Sequence, residues 1–213
     1  MTIDRPVYRI AAMNTAASNP GTRERLIAAM REALATRGYH GIGLNELLAS
    51  AGAPKGVLYH HFPGGKSELA VAAIGAVADQ LGSSLDKLMQ RAAGDPVKAL
   101  AAWMDVAQQT LEKSGFQRGC PLATVALETT PDDQALRAVL SATFAAFRER
   151  LANALAVAGI ADSRARGLAA LIVSAYEGAL LQSRVAGNVQ AMHDTSVALL
   201  DLLRLSLPDP NTP

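Results

Sequence analysis

Residues 43–62 constrain the fold more than any other stretch, because glycine and proline leave them room only for two short helices joined by a tight turn. Gly43 can cap a first helix over Leu44–Ala51, in which Leu44, Leu47, Leu48 and Ala51 form one apolar stripe. Gly52 ends that helix. Pro54 then falls where a first-turn proline is tolerated, opening a second helix to about His61 that turns Leu58 and Phe62 inward. This is the outline of a helix-turn-helix.

The flanks read as helix too. Thr22 can cap a helix carrying Leu26, Ile27, Met30 and Leu34 at three- and four-residue spacing until Gly38 stops it. After the Pro63-Gly64-Gly65 break, a long helix is expected over residues 66–92, then others over 96–113, 121–130, 131–158, 163–187 and 189–207. Hydrophobic residues make up 50% of the chain but aromatics only 4%; the excess is alanine and leucine, which favours helix over strand. The expected fold is all-α. A three-helix helix-turn-helix domain occupies residues 20–68 and a larger helical domain 69–207, between an arm over 1–19 and a tail over 208–213.

Cys120 is the single cysteine, so neither an intramolecular disulfide nor a four-thiolate zinc site can form. The apolar stretch after Arg5 and Arg9 is too short for a secretory core, and no run is long enough to span a bilayer. A cytoplasmic location is expected. Residues 1–68 hold 8 Lys and Arg against 5 acids, net +3, and the remainder holds 12 against 14, net −2. This modest positive bias suits a polyanionic partner at the N-terminal end.

The string from Gly38 through Gly52-Ala53-Pro54-Lys55-Gly56-Val57-Leu58-Tyr59-His60-His61-Phe62, followed by Lys66 and Leu69, resembles the DNA-binding signature of the TetR family of bacterial repressors. The resemblance implies that the second short helix enters the major groove while neighbouring donors hold phosphates. It assigns DNA contact to Gly43, Asn45, Pro54, Lys55, Gly56, Val57, Tyr59, His60, His61 and Lys66. Gly56 permits close backbone approach, Lys55 can reach a phosphate or a guanine edge, and Tyr59 and His61 can donate to phosphate oxygens. Lys66 stands at a helix start, where its ammonium and the open N–H groups act together on an anion. Phe62 is read as core.

Three positions depart from the family pattern. Gly43, Pro54 and Val57 replace residues that are often Thr or Ser, and one extra residue stands between Phe62 and Lys66. These departures, with Gly119-Cys120-Pro121-Leu122-Ala123, are similar to the subgroup containing lincomycin-resistance and flavonoid-responsive repressors.

Other chemistries fit less well. Gly65-Lys66-Ser67 mimics the tail of a phosphate-binding loop, but His60 stands where that motif needs glycine and no strand precedes it. His40, His60, His61 and His193 have no metal-binding spacing, and Cys120 has no local base and reads as a small hydrophobe before Pro121. No catalysis, cofactor or metal is expected. A helical small-molecule-binding protein without specific DNA binding stays as the alternative, made conceivable by the hydroxyls missing at Gly43 and Val57.

For the C-terminal domain the resemblance implies a ligand cavity and a homodimer through the last two long helices. Candidate pocket residues are the scarce large side chains Trp103, Met104, Phe116, Phe144, Phe147 and Tyr176, with Cys120, Thr124, Glu128 and Gln182, for a small hydrophobic or aromatic effector. Ala169, Ala170, Ser174, Ala175, Gly178 and Ala179 allow close helix approach.

Overall fold

The computed structural model describes residues 21–208, and among these it contains nine α-helices and no strand. In chain order they are α1 (Thr22–Thr36), α2 (Leu44–Ala51), α3 (Lys55–His61), α4 (Gly65–Arg91), α5 (Pro96–Lys113), α6 (Pro121–Glu128), α7 (Gln134–Val157), α8 (Asp162–Ala186) and α9 (Gln190–Ser206). The expected arm, and all of the expected tail but Pro208, lie outside the described residues.

Helices of eight and seven residues, the lengths of α2 and α3, do not persist alone in water. They persist here because Leu47, Leu48, Leu58 and Phe62 share one core with Leu26, Met30 and Leu34 of α1 and with Leu69, Ala73 and Ile74 of α4. The turn between them is set by Gly52, whose φ of +59° favours glycine and lets the Ala53 N–H reach back to the Leu48 carbonyl at 3.0 Å.

This first core does not stop at residue 68, since the first turns of α4 complete it and Leu122 and Val125 of α6 and Leu136 and Leu140 of α7 extend it. A second core lies among α5, α7, α8 and α9, around Leu100, Met104, Leu155, Ile172, Leu180 and Leu203. Cys120 and Phe144 touch both cores. The head formed by α1–α3 is thus fastened to the body through α4 and α6.

Several helix ends differ from expectation by a few residues. Gly21, not Thr22, caps α1, and Pro54 caps α3 with Lys55 as its first residue. α6 stops at Glu128 and α7 waits until Gln134 because the Asp133 carboxylate accepts from the Thr130 N–H at 2.8 Å and from its hydroxyl at 2.9 Å. That local turn competes with helix and leaves Pro131 in the loop. At the start of α5, Asp95 accepts from the N–H groups of Val97 at 2.9 Å and Lys98 at 3.1 Å, with Pro96 in the first turn.

Candidate nucleic-acid interface and inner cavity

The face of α3 is decided by where its apolar side chains go. Leu58 is fully buried and the adjoining Phe62 nearly so, which rotates Lys55, Gly56, Tyr59 and His60 outward. Tyr59 is 45% exposed although it is large and apolar. Pro54 is exposed beside them, as are Gly43 and Asn45 at the start of α2, while Val57 and His61 are half-buried. A Cβ placed on Gly43 or Gly56 would meet nothing within 4 Å, so the chain's own packing does not require glycine at either position.

Tyr59 is also held in place from behind. The backbone of Gly65 takes a φ of +66°, and a Cβ there would stand 3.3 Å from the Tyr59 ring. Gly65 therefore lets α4 begin close against the ring. The Glu68 carboxylate accepts from the Gly64 N–H at 2.7 Å, which occupies one of the donors at the start of this helix.

Lys66, expected at a phosphate, has a partner inside the head. It is half-buried, donates to the Ile42 carbonyl at 2.7 Å and lies 4.7 Å from the centre of the Tyr39 ring. Burial lowers its pKa, and the negative charge of Glu128 partly restores it. One of its three protons is committed inside the head, tying the start of α4 to Ile42, two residues before α2 begins.

Behind the head, a cavity of about 560 Å³ opens among α1, α4, α5, α7 and α8. Of the ten pocket candidates, Trp103, Cys120, Phe144, Phe147 and Tyr176 line it. The Trp103 ring lies 4.4 Å from that of Tyr176 and 5.9 Å from that of Phe147, forming one aromatic wall. Beyond that wall is an apolar void of about 20 Å³, which holds no more than a water.

The other five pocket candidates go elsewhere. Met104 is fully buried in the second core, and Phe116 packs onto that core from a loop residue with φ +62°. Thr124 returns its hydroxyl to the Cys120 carbonyl at 2.9 Å, and exposed Gln182 donates to the Gly178 carbonyl at 3.2 Å. Both bonds are local helix contacts, which leave neither side chain to line the cavity. Glu128 accepts from the backbone N–H groups of Tyr39 and His40 in the head.

Glu177, absent from the sequence expectation, is a half-buried acid on the cavity lining. Burial raises its pKa, opposed by a contact with the Cys120 thiol. Burial likewise drives the Cys120 thiol and the Tyr176 phenol well above their ordinary values, with Glu177 adding to both. Cys120 is therefore held as a thiol, in keeping with its reading as a small hydrophobe. Arg31, Lys87, Arg91 and Arg118 stand at the rim, where Arg118 pairs with Glu32. The signal for Glu177 was its place directly after an inward aromatic in an alanine-rich helix.

A helical tripod with an outward-facing third helix, set on a helical body that encloses a cavity, defines the helix-turn-helix class of transcriptional regulators. The comparisons narrow this. Residues 26–73 match the model of bacterial regulatory proteins of the TetR family, and residues 96–197 that of the LmrA/YxaF-like transcriptional regulator C-terminal domain. An HTH-type transcriptional regulator of Mycobacterium tuberculosis is 31% identical over 194 residues, covering 89% of this chain and 97% of the relative. HTH-type transcriptional regulator LmrA of Bacillus subtilis is 28% identical over 183 residues, covering 86% and 97%. The crystal structure of a regulatory protein TetR from Rhodobacter sphaeroides superposes with a TM-score of 0.76 at 27% identity, covering 84% of this chain and 97% of that one. The chain belongs to the TetR family of DNA-binding transcriptional regulators, with an LmrA/YxaF-like C-terminal domain.

Proposed function

We propose that the protein is a homodimeric repressor that docks α3 of each subunit in the major groove and is released when a small hydrophobic or aromatic effector enters the cavity. The observation that carries this reading is the outward set Lys55, Gly56, Tyr59 and His60 on a helix locked from behind by Leu58 and Phe62. Lys55 and Tyr59 supply donors to phosphates or base edges, and Gly56 leaves the backbone open to approach.

The dimer reading is supported by a stripe on α8. Gly167, Leu171, Ser174, Gly178, Leu181 and Val185 recur at alternating spacings of four and three, which places them on one face. All but half-buried Gly178 are exposed, Val185 at 81%, and Leu205 on α9 is 86% exposed. A second copy would cover this surface and leave small residues at the closest approach.

The effector reading rests on the aromatic wall of Trp103, Phe147 and Tyr176 in a cavity that also presents the half-buried Glu177 carboxyl. To clear the DNA nearly completely, an effector must favour the released conformation by roughly 5 kcal/mol over the DNA-bound one. The test is selection of a preferred duplex from a randomised pool, followed by band shifts with a panel of aromatic compounds. Selection of one palindrome, and its release by at least one compound, is expected. No preferred duplex, or no release across the panel, contradicts the respective half of the reading.

A further inference from the structure

The last residue of α6 is an acid, which is the wrong charge for a helix C-terminus, where the backbone dipole favours cations. Nothing in α6 gains from it. The Glu128 carboxylate instead reaches across to the turn after α1 and accepts from two successive backbone donors, the Tyr39 N–H and the His40 N–H at 3.1 Å. No other backbone or side-chain acceptor takes these two N–H groups among the described residues.

The turn is shaped around that carboxylate. Gly38 has φ +79°, and a Cβ on it would stand 1.9 Å from a Glu128 oxygen. The next residues downstream are the ones that matter for recognition: Tyr39 carries the Lys66 ammonium on its ring face, Ile42 accepts from the same ammonium, and Gly43 caps α2. A single carboxylate from the body thus fixes the entry to α2 and α3.

We propose that Glu128 is a positioning residue for DNA recognition: through the Tyr39 and His40 N–H groups it sets the angle at which α2 and α3 leave α1. It touches neither DNA nor the cavity. The inference rests on the DNA-binding reading above and adds to it the part that aims the reading helix. Specific binding requires α3 to be seated against base edges, whereas nonspecific binding requires only phosphate contacts. Loss of Glu128 therefore lowers the first and spares the second.

The experiment uses the full chain and two variants of nearly unchanged size. Glu128→Met removes the acceptor, and Glu128→Gln keeps a carboxamide oxygen able to accept from both donors. Affinities are measured for the duplex that the wild-type protein selects and for a scrambled duplex, beside amide exchange at Tyr39 and His40. Glu128→Met is expected to lose about tenfold on the selected duplex, with the scrambled duplex unchanged and both amides exchanging faster. Glu128→Gln is expected to recover most of that loss. An unchanged ratio of specific to nonspecific affinity in Glu128→Met, or an equal loss in Glu128→Gln, overturns the proposal; should Glu128→Met not fold, slow amides and wild-type affinity in Glu128→Gln support it and fast amides overturn it. If the wild-type protein selects no duplex at all, the DNA-binding reading itself has failed.

Discussion

The Lys66 ammonium donates to the Ile42 carbonyl at 2.7 Å, closing the start of α4 onto the residues that lead into α2. A lysine expected to hold a phosphate thus holds the head together from inside. Replacing Lys66 with Met is expected to destabilise the fold by about 1 kcal/mol, since a half-buried charged hydrogen bond is lost in partial contact with solvent. Denaturant titration measures the loss. The salt dependence of DNA binding should change little in this variant.

Lys55 predicts the opposite pattern. It is exposed at the first position of α3 and makes no ion pair within 4.0 Å among the described residues. Lys55→Ala should leave stability unchanged and reduce the slope of log affinity against log salt by about 0.9, the release of one counterion. Fluorescence anisotropy with a labelled duplex at a series of salt concentrations reads this slope.

Leu58 is fully buried where α3 meets α1 and α4. Leu58→Ala is expected to cost roughly 2–5 kcal/mol, a large part of a typical domain's stability. The same variant should weaken specific DNA binding, because Leu58 is the one buried side chain within α3 and, with the adjoining Phe62, holds its rotation. A thermal melt beside a band shift tests both outcomes.

Glu177 predicts a pH dependence. Burial raises its pKa in the folded protein, so the protonated form is favoured by folding. The stability this provides is complete below the ordinary glutamate range and is lost as pH rises through the higher folded value. Glu177→Gln is neutral at every pH and is expected to melt progressively higher than the wild type as pH increases above that range. Parallel melting curves from acid to mildly alkaline pH show the widening gap; curves that stay parallel would contradict the assigned cause.

The local order of the head was legible in the sequence because it is written in near-neighbour residues. Gly43, Gly52 and Pro54 mark the ends of α2 and α3, and Leu58 and Phe62 fix which face turns outward. Details set by side-chain competition were not. The Asp133 carboxylate delays α7 through its bonds to Thr130, and a sequence pattern does not weigh such a turn against another turn of helix. Long-range destinations were harder still. Glu128 and Tyr39 are 89 positions apart, and Lys66 and Ile42 24 apart, so nothing local signals that these charges face into the protein. The aromatic wall was easier, because a chain with few large side chains has few candidates for the lining of an apolar cavity.

Trp103 is the only tryptophan in the chain and lines the cavity against Tyr176 and Phe147, so its emission reports on occupancy independently of DNA. A compound that releases DNA should also quench this emission, with the same concentration dependence once DNA competition is allowed for.

The central claim is that α3 reads duplex DNA through its outward face. It is tested most directly by comparing the wild-type protein with a variant in which Lys55, Tyr59 and His60 are all alanine, each titrated against a selected duplex and a scrambled one. The account predicts a clear wild-type preference for the selected duplex, and its collapse toward the nonspecific level in a variant whose fold and dimer are intact. Equal affinity of the wild-type protein for both duplexes, or full preference retained by the triple variant, would contradict it.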